Sequence, residues 1–194
     1  MNKIIVLLFS FFIAMPLLAQ EETLIDDGFH SGGYGGPVWK IGLVNGKVGL
    51  FSGGRGGWII NHRFVIGGGG YNQILDVETD EVSSDGKPLY LNLSYGGFEM
   101  EYIHESDKLV HWTVHTLIGS GYVKLKVHDP NEAIETDNFF MVEPSFNVDM
   151  NISSWFRIGL GLSYRIAMGV DLPEITSSDV SGPSGLIILK FGSF

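Results

Sequence analysis

Glu143, Ser145, Asn147 and Asp149 alternate with bulky apolar residues in one run of the chain, and Arg157, Gly159, Gly161, Ser163 and Arg165 do so in the next. Successive side chains of a strand point to opposite faces, so residues two apart share one. On neighbouring antiparallel strands this gathers carboxylates and guanidinium groups on a common surface, where opposite charges pair and a buried charge without a partner is expensive. A turn centred on Ser153 predicts Asp149 opposite Arg157 and Glu143 diagonal to Arg165. A turn over His104 to Lys108, centred on Ser106, predicts Glu101 opposite His111. Arg55 and Glu99 complete the set, with Gly69 expected across from Arg55 to leave room for its side chain. Such a network does one of two things: it fills an interior with structural ion pairs, or it forms a plug around Arg55, Glu99, Glu143 and Arg165 that opens as a polar path.

Other chemistries find less support. His111 and His115 share a face, but four residues along a strand span roughly 13 Å, too far for one metal shell with bonds of about 2 Å. No metal and no cofactor is expected. His128-Asp129 has no serine elbow or other nucleophile motif beside it, and Asp129-Pro130-Asn131 reads as turn chemistry. Gly53 to Gly57 and Gly67 to Gly70 lack the Gly-Lys-Ser/Thr ending and the following helix of a phosphate loop. Asp76-Val77-Glu78-Thr79-Asp80 lacks the Gly and distal Glu of a calcium loop, so the acidic segments read as solvated loops, with loose divalent-cation binding as the alternative. With 12 Lys+Arg against 22 Asp+Glu, the charge balance argues against nucleic acid.

The elements that must hold these residues are strands. From Phe156 to Ala167, Phe156, Ile158, Leu160, Leu162, Tyr164 and Ile166 interleave with small or cationic residues. Phe140, Val142, Pro144, Phe146, Val148 and Met150 behave alike, as do Val110, Trp112, Val114, Thr116 and Ile118. In Leu89 to Tyr102 the apolar phase changes at Gly96-Gly97, which predicts a β-bulge turning Glu99 and Glu101 to the polar face. Asn45-Gly46 predicts a type I′ hairpin turn. Short connections (Asn61 to Arg63, His104 to Lys108, Asn151 to Ser154) alternate with long ones (Asp76 to Pro88, Lys124 to Asn138, Val170 to Pro183), the order of an up-and-down barrel with Asn45-Gly46 as its one short outer loop. An interior of about eight strands is just filled by side chains, so the bulky apolar ranks belong outside, against lipid.

At the N-terminus, Lys3, the apolar run Ile4 to Met15 and Leu17-Leu18-Ala19 read as a cleaved export signal over 1–19. Residues 20–33 are then a flexible segment and 34–194 the barrel. Without cysteine, neither disulfides nor an N-terminal lipid is available.

The export signal, Arg55-Gly56-Gly57-Trp58, Tyr95-Gly96-Gly97, Pro144, Tyr164-Arg165 and the terminal Phe191-Gly192-Ser193-Phe194 make the chain resemble the small outer-membrane barrels of Gram-negative bacteria, of the OmpX, OmpW and OmpA-barrel kind. The resemblance implies an all-β, eight-stranded antiparallel up-and-down transmembrane β-barrel, integral to the outer membrane, among lipid and lipopolysaccharide. It also implies Phe194 as an assembly signal read by the barrel-insertion machinery. In that pattern the alternate residues before the last Phe are apolar, whereas here they include Gly192 and Lys190. Either Lys190 lies near a rim, or Gly192-Ser193 breaks the phase and Ile187, Leu189 and Phe191 face lipid; the second is preferred. The expected role is non-enzymatic, structural or surface-interacting, with an envelope protein as partner. A narrow channel for small or hydrophobic solutes is the alternative, and a lipid A-modifying enzyme the third.

Overall fold

The computed structural model describes residues 30–83, 85–128 and 131–194. The export signal, most of the segment expected before the barrel, and Asp129-Pro130 lie outside the described residues. The elements are β1 (Ser31–Val44), β2 (Lys47–Ile60), β3 (Phe64–Gln73), β4 (Val77–Val82), β5 (Pro88–His104), β6 (Val110–His128), β7 (Asn131–Ser153), β8 (Phe156–Met168), β9 (Asp171–Leu172), β10 (Ile175–Thr176), α1 (Ser177–Val180) and β11 (Gly182–Ser193).

Eight antiparallel strands pair in the order β1-β2-β3-β5-β6-β7-β8-β11, and β11 pairs back onto β1. Closure leaves no free edge where the ring is complete. Chain order equals ring order because each strand turns back on its predecessor. At the first turn Asn45 and Gly46 both take positive φ, 48° and 69°, the left-handed pair that a type I′ turn demands, and Val44 pairs with Lys47 directly. β1 begins at Ser31, not 34, since Ser31, Gly32 and Gly33 already pair with Ile60, Ile59 and Trp58.

The wall separates two surfaces. Leu160, Leu162, Tyr164, Ile166, Phe146, Val148, Met150, Val114, Phe98 and Met100 are exposed on the outside. Toward the short-turn end this belt becomes aromatic. Phe64, Tyr102, Trp112 and Phe146 follow one another at centroid separations of 5.4, 5.9 and 6.0 Å, and Phe156 stacks on Phe191 at 4.9 Å. Such a band with an aromatic girdle suits hydrocarbon bounded by an interface.

Three expectations need correcting. No bulge occurs at Gly96-Gly97: β5 keeps unbroken register with β6 from Tyr90↔Lys126 to His104↔Trp112, and with β3 from Phe64↔Tyr102 to Asn72↔Ser94. Leu89, Leu91, Leu93 and Tyr95 therefore point inward in the same phase as Glu99 and Glu101. What changes at the glycines is the character of the interior, apolar toward the long loops and charged toward the short turns. Lys124 to Asn138 is not a loop either. β6 and β7 stay paired to His128↔Asn131, whereas β7 pairs with β8 only as far as Phe140↔Met168. With β4 added alongside β5, the sheet rises above the ring, and Lys126 reaches Asp76 at 2.7 Å there. Finally, Gly192-Ser193 does not break phase, because β1 and β11 keep one register from Gly42↔Ser184 to Gly33↔Ser193. Lys190 is luminal and not near a rim, and Ile187 and Phe191 face outward as preferred.

Candidate functional site: the charged lumen

The inward positions of β1, β2, β5, β6, β7, β8 and β11 bring Lys40, Arg55, Glu99, Glu101, His111, His115, Glu143, Asp149, Arg157, Arg165 and Lys190 into the barrel, all buried. Small inward residues make the space. Arg55 pairs in register with Gly69, and a Cβ on Gly69 would strike the Glu99 carboxylate and Arg55 itself.

The inner layer centres on Lys190. Its ammonium donates to Glu101 Oε1 at 2.5 Å and to Asp149 Oδ2 at 2.6 Å. Tyr34 donates its hydroxyl to Glu101 Oε2 at 2.7 Å, and Arg55 Nη2 stands 3.9 Å from that same oxygen. One layer outward, Glu99 accepts the Tyr71 hydroxyl at 3.0 Å and lies 3.4 Å from His115 Nε2, while His115 Nδ1 meets Ser145 Oγ at 3.1 Å. Next, Lys40 donates to Glu143 Oε1 at 2.8 Å and sits 3.5 Å above the Tyr71 ring, and Ser163 donates to the same Glu143 oxygen at 2.6 Å. Short charge-assisted bonds of this kind are the strong members of such networks.

The ends are closed differently. At the outer end, Arg165 donates through Nε to the Val180 carbonyl at 2.7 Å and through Nη2 to the Leu43 carbonyl at 3.0 Å. This ties α1 and the first hairpin over the opening, and Asn45 N–H adds a bond to the Asp179 carbonyl at 2.6 Å. Val44, Phe51, Leu91, Leu93, Val123, Phe139 and Met141 fill the space beneath, with Leu172, Ile175 and Val180 of the covering segment in the same core. At the inner end, Arg157 donates to the Ser106 carbonyl at 3.2 Å and lies 3.9 Å over the Phe194 ring.

The register differs from the expected pairings. Glu101 faces His115, His111 faces Asp149, and Asp149 faces Gly159 rather than Arg157. The flanking pairs Val142↔Ile166 and Ser145↔Ser163 put Glu143 directly across from Arg165 rather than diagonal to it, yet Arg165 gives its hydrogen bonds to carbonyls and Glu143 takes Lys40. The turns centre elsewhere than on Ser106 and Ser153, and each residue of shift moves a partner by two. Phe194 shares the inward phase of Lys190 and packs beside Tyr34, centroids 6.1 Å apart, so it is not on the outer face.

Lys40 and Lys190, the two buried ammonium groups that pair with luminal carboxylates, are absent from the expected plug. A signal for Lys40 exists: Trp39, Ile41 and Leu43 are the apolar set of β1, which puts Lys40 opposite them. Among the described residues, no group of three or more His, Cys, Asp or Glu could hold a metal ion.

No protein-family profile matches the chain, and no curated protein matches it in sequence. In fold it is similar to Neisserial surface protein A, with a TM-score of 0.59 at 9% identity over 86% of this chain and 99% of that one. It is also similar to the N-terminal β-barrel domain of Pseudomonas aeruginosa OprF, with a TM-score of 0.53 at 10% identity over 84% and 96%. Ail, the attachment invasion locus protein of Yersinia pestis, aligns at a TM-score of 0.48 and 12% identity over 84% and 97%. The architecture is that of the eight-stranded outer-membrane β-barrels.

Proposed function

We propose that the chain is a non-conducting, non-enzymatic outer-membrane barrel whose role is structural or lies in contacts made at the cell surface. The observation that carries this reading is the seal across the outer half of the lumen. Leu91, Leu93, Val123 and Met141 are fully buried there, above a charged layer whose inner carboxylates are neutralised across the barrel. A hydrated ion would have to displace a packed apolar core, which costs far more than rearranging a polar constriction. The raised sheet of β4, β5, β6 and β7 gives the outer rim an ordered surface to offer an envelope protein. Lipid and lipopolysaccharide surround the belt, and the insertion machinery reads the last strand, with Phe194 at its end.

Reconstituted in a planar bilayer, the barrel is expected to give no discrete conductance steps, and Arg55→Ala is expected to leave it silent because the apolar seal lies elsewhere. Steady single-channel openings from the unaltered protein would establish the narrow-channel alternative instead. Lipid A extracted from cells with and without the gene is expected to give identical acyl patterns by mass analysis; a shift of one acyl chain would reinstate the enzyme reading.

A further inference from the structure

The luminal charges do not cancel. Among the described residues, Lys40, Arg55, Arg157, Arg165 and Lys190 face Glu99, Glu101, Glu143 and Asp149, five cations against four carboxylates. Lys190 holds Glu101 and Asp149, and Lys40 holds Glu143. Among the described residues Arg165 makes no ion pair and is capped by two carbonyls.

Arg157 is different. It is 6% exposed, among the described residues its guanidinium donates to the Ser106 carbonyl alone, and its Nε is buried with no partner. It makes no ion pair among the described residues, and it lines a cleft of about 910 Å³ in the inner mouth. Arg63 lines the same cleft from the β2–β3 turn. Asn151 commits both amide hydrogens, to Ser106 O at 2.9 Å and Lys108 O at 2.7 Å, leaving its buried Oδ1 without a donor. Ser153, Ser154, Tyr102 and Phe194 also line the cleft, and the exposed carboxylates of Glu105 and Asp107 stand on the β5–β6 turn at its margin.

We propose that this inner-mouth cleft binds the free carboxylate of a short peptide presented from the side of the short turns. A guanidinium is a planar fork that matches a carboxylate in two parallel hydrogen bonds, and the Arg157 guanidinium carbon lies 3.9 Å over the Phe194 ring. The unsatisfied Asn151 oxygen accepts a peptide N–H, which an inorganic anion does not offer. A cleft of this size suits a short peptide better than a single ion.

The test uses the full chain refolded in detergent, with acetyl-alanyl-alanine as probe and the Arg157 Nε–Hε resonance as readout. Saturable binding is expected, weakened roughly tenfold when the probe is amidated, as loss of a charge-assisted bond implies. The exposed-end variant Arg63→Gln, read on the same resonance, and the buried Arg157→Gln, read by titration calorimetry with the same probe, are each expected to weaken it, and the gel-mobility shift on boiling reports whether each variant is folded. Equal binding of acid and amide, equal binding of inorganic phosphate, or no saturable shift overturns the proposal. So does a cleft that takes the dipeptide only after residues 20–29 are deleted, which would assign the place to the chain's own Glu21, Glu22, Asp26 and Asp27.

Discussion

Replacing Lys190 by methionine is expected to destabilise the barrel by about 3–5 kcal/mol, the cost of stranding buried charges whose partner has been removed. Lys190 is 1% exposed and spans from β11 to Glu101 on β5 and Asp149 on β7, so a single ammonium serves two carboxylates from two other walls. Methionine fills a similar volume but leaves both carboxylates to Tyr34, Arg55 and the histidines. The measurement is the urea midpoint of refolded protein in detergent, followed by gel mobility without boiling. Lys190→Met combined with Glu101→Gln and Asp149→Asn is expected to recover most of the loss, since neutral amides lower the desolvation penalty. An unchanged midpoint for the single variant would mean that the carboxylates do not depend on Lys190.

That lysine also shows where sequence reasoning reaches and where it stops. The outer face was legible because it meets one uniform solvent: the alternation from Phe156 to Ala167 needs only the two-residue period, and Leu160, Leu162, Tyr164 and Ile166 are exposed in that phase. The Asn45-Gly46 turn was legible because its backbone admits few residue types. The pairings inside were not. Expected partners were sought on adjacent strands, yet Lys40 and Glu143 are 103 residues apart on β1 and β7, and Lys190 and Glu101 are 89 apart. In a narrow barrel, long side chains cross the lumen, and the choice among partners depends on the stagger of every strand between them. The Leu89 to Tyr95 run misled for a related reason. Apolar inward residues are ordinary where the lumen is sealed by a core, so a change of residue type along one face imitates a change of face.

Replacing Leu162 by arginine is expected to cost about 2–4 kcal/mol, the penalty for a cation on the lipid face near the bilayer midplane of a barrel. Leu162 is 73% exposed, pairs with Phe146 on β7 and Gly185 on β11, and has Leu160 and Tyr164 as outward neighbours along β8. It touches little, so neither a cavity nor a lost contact accompanies the change. In a water-soluble barrel of the same fold, an exposed leucine exchanged for arginine would alter stability by roughly 0.5 kcal/mol or less. The solvent outside the wall is therefore the only variable that distinguishes the two outcomes. Folding into phospholipid vesicles, read as the urea midpoint of the protease-protected form, measures it. The penalty should shrink when arginine is placed instead at Phe156, whose stack on Phe191 marks the interfacial girdle and whose position lets a long cationic side chain reach the headgroups. Equal costs at the two sites would contradict a bilayer centred on the middle of β8, and no cost at either would return the chain to water.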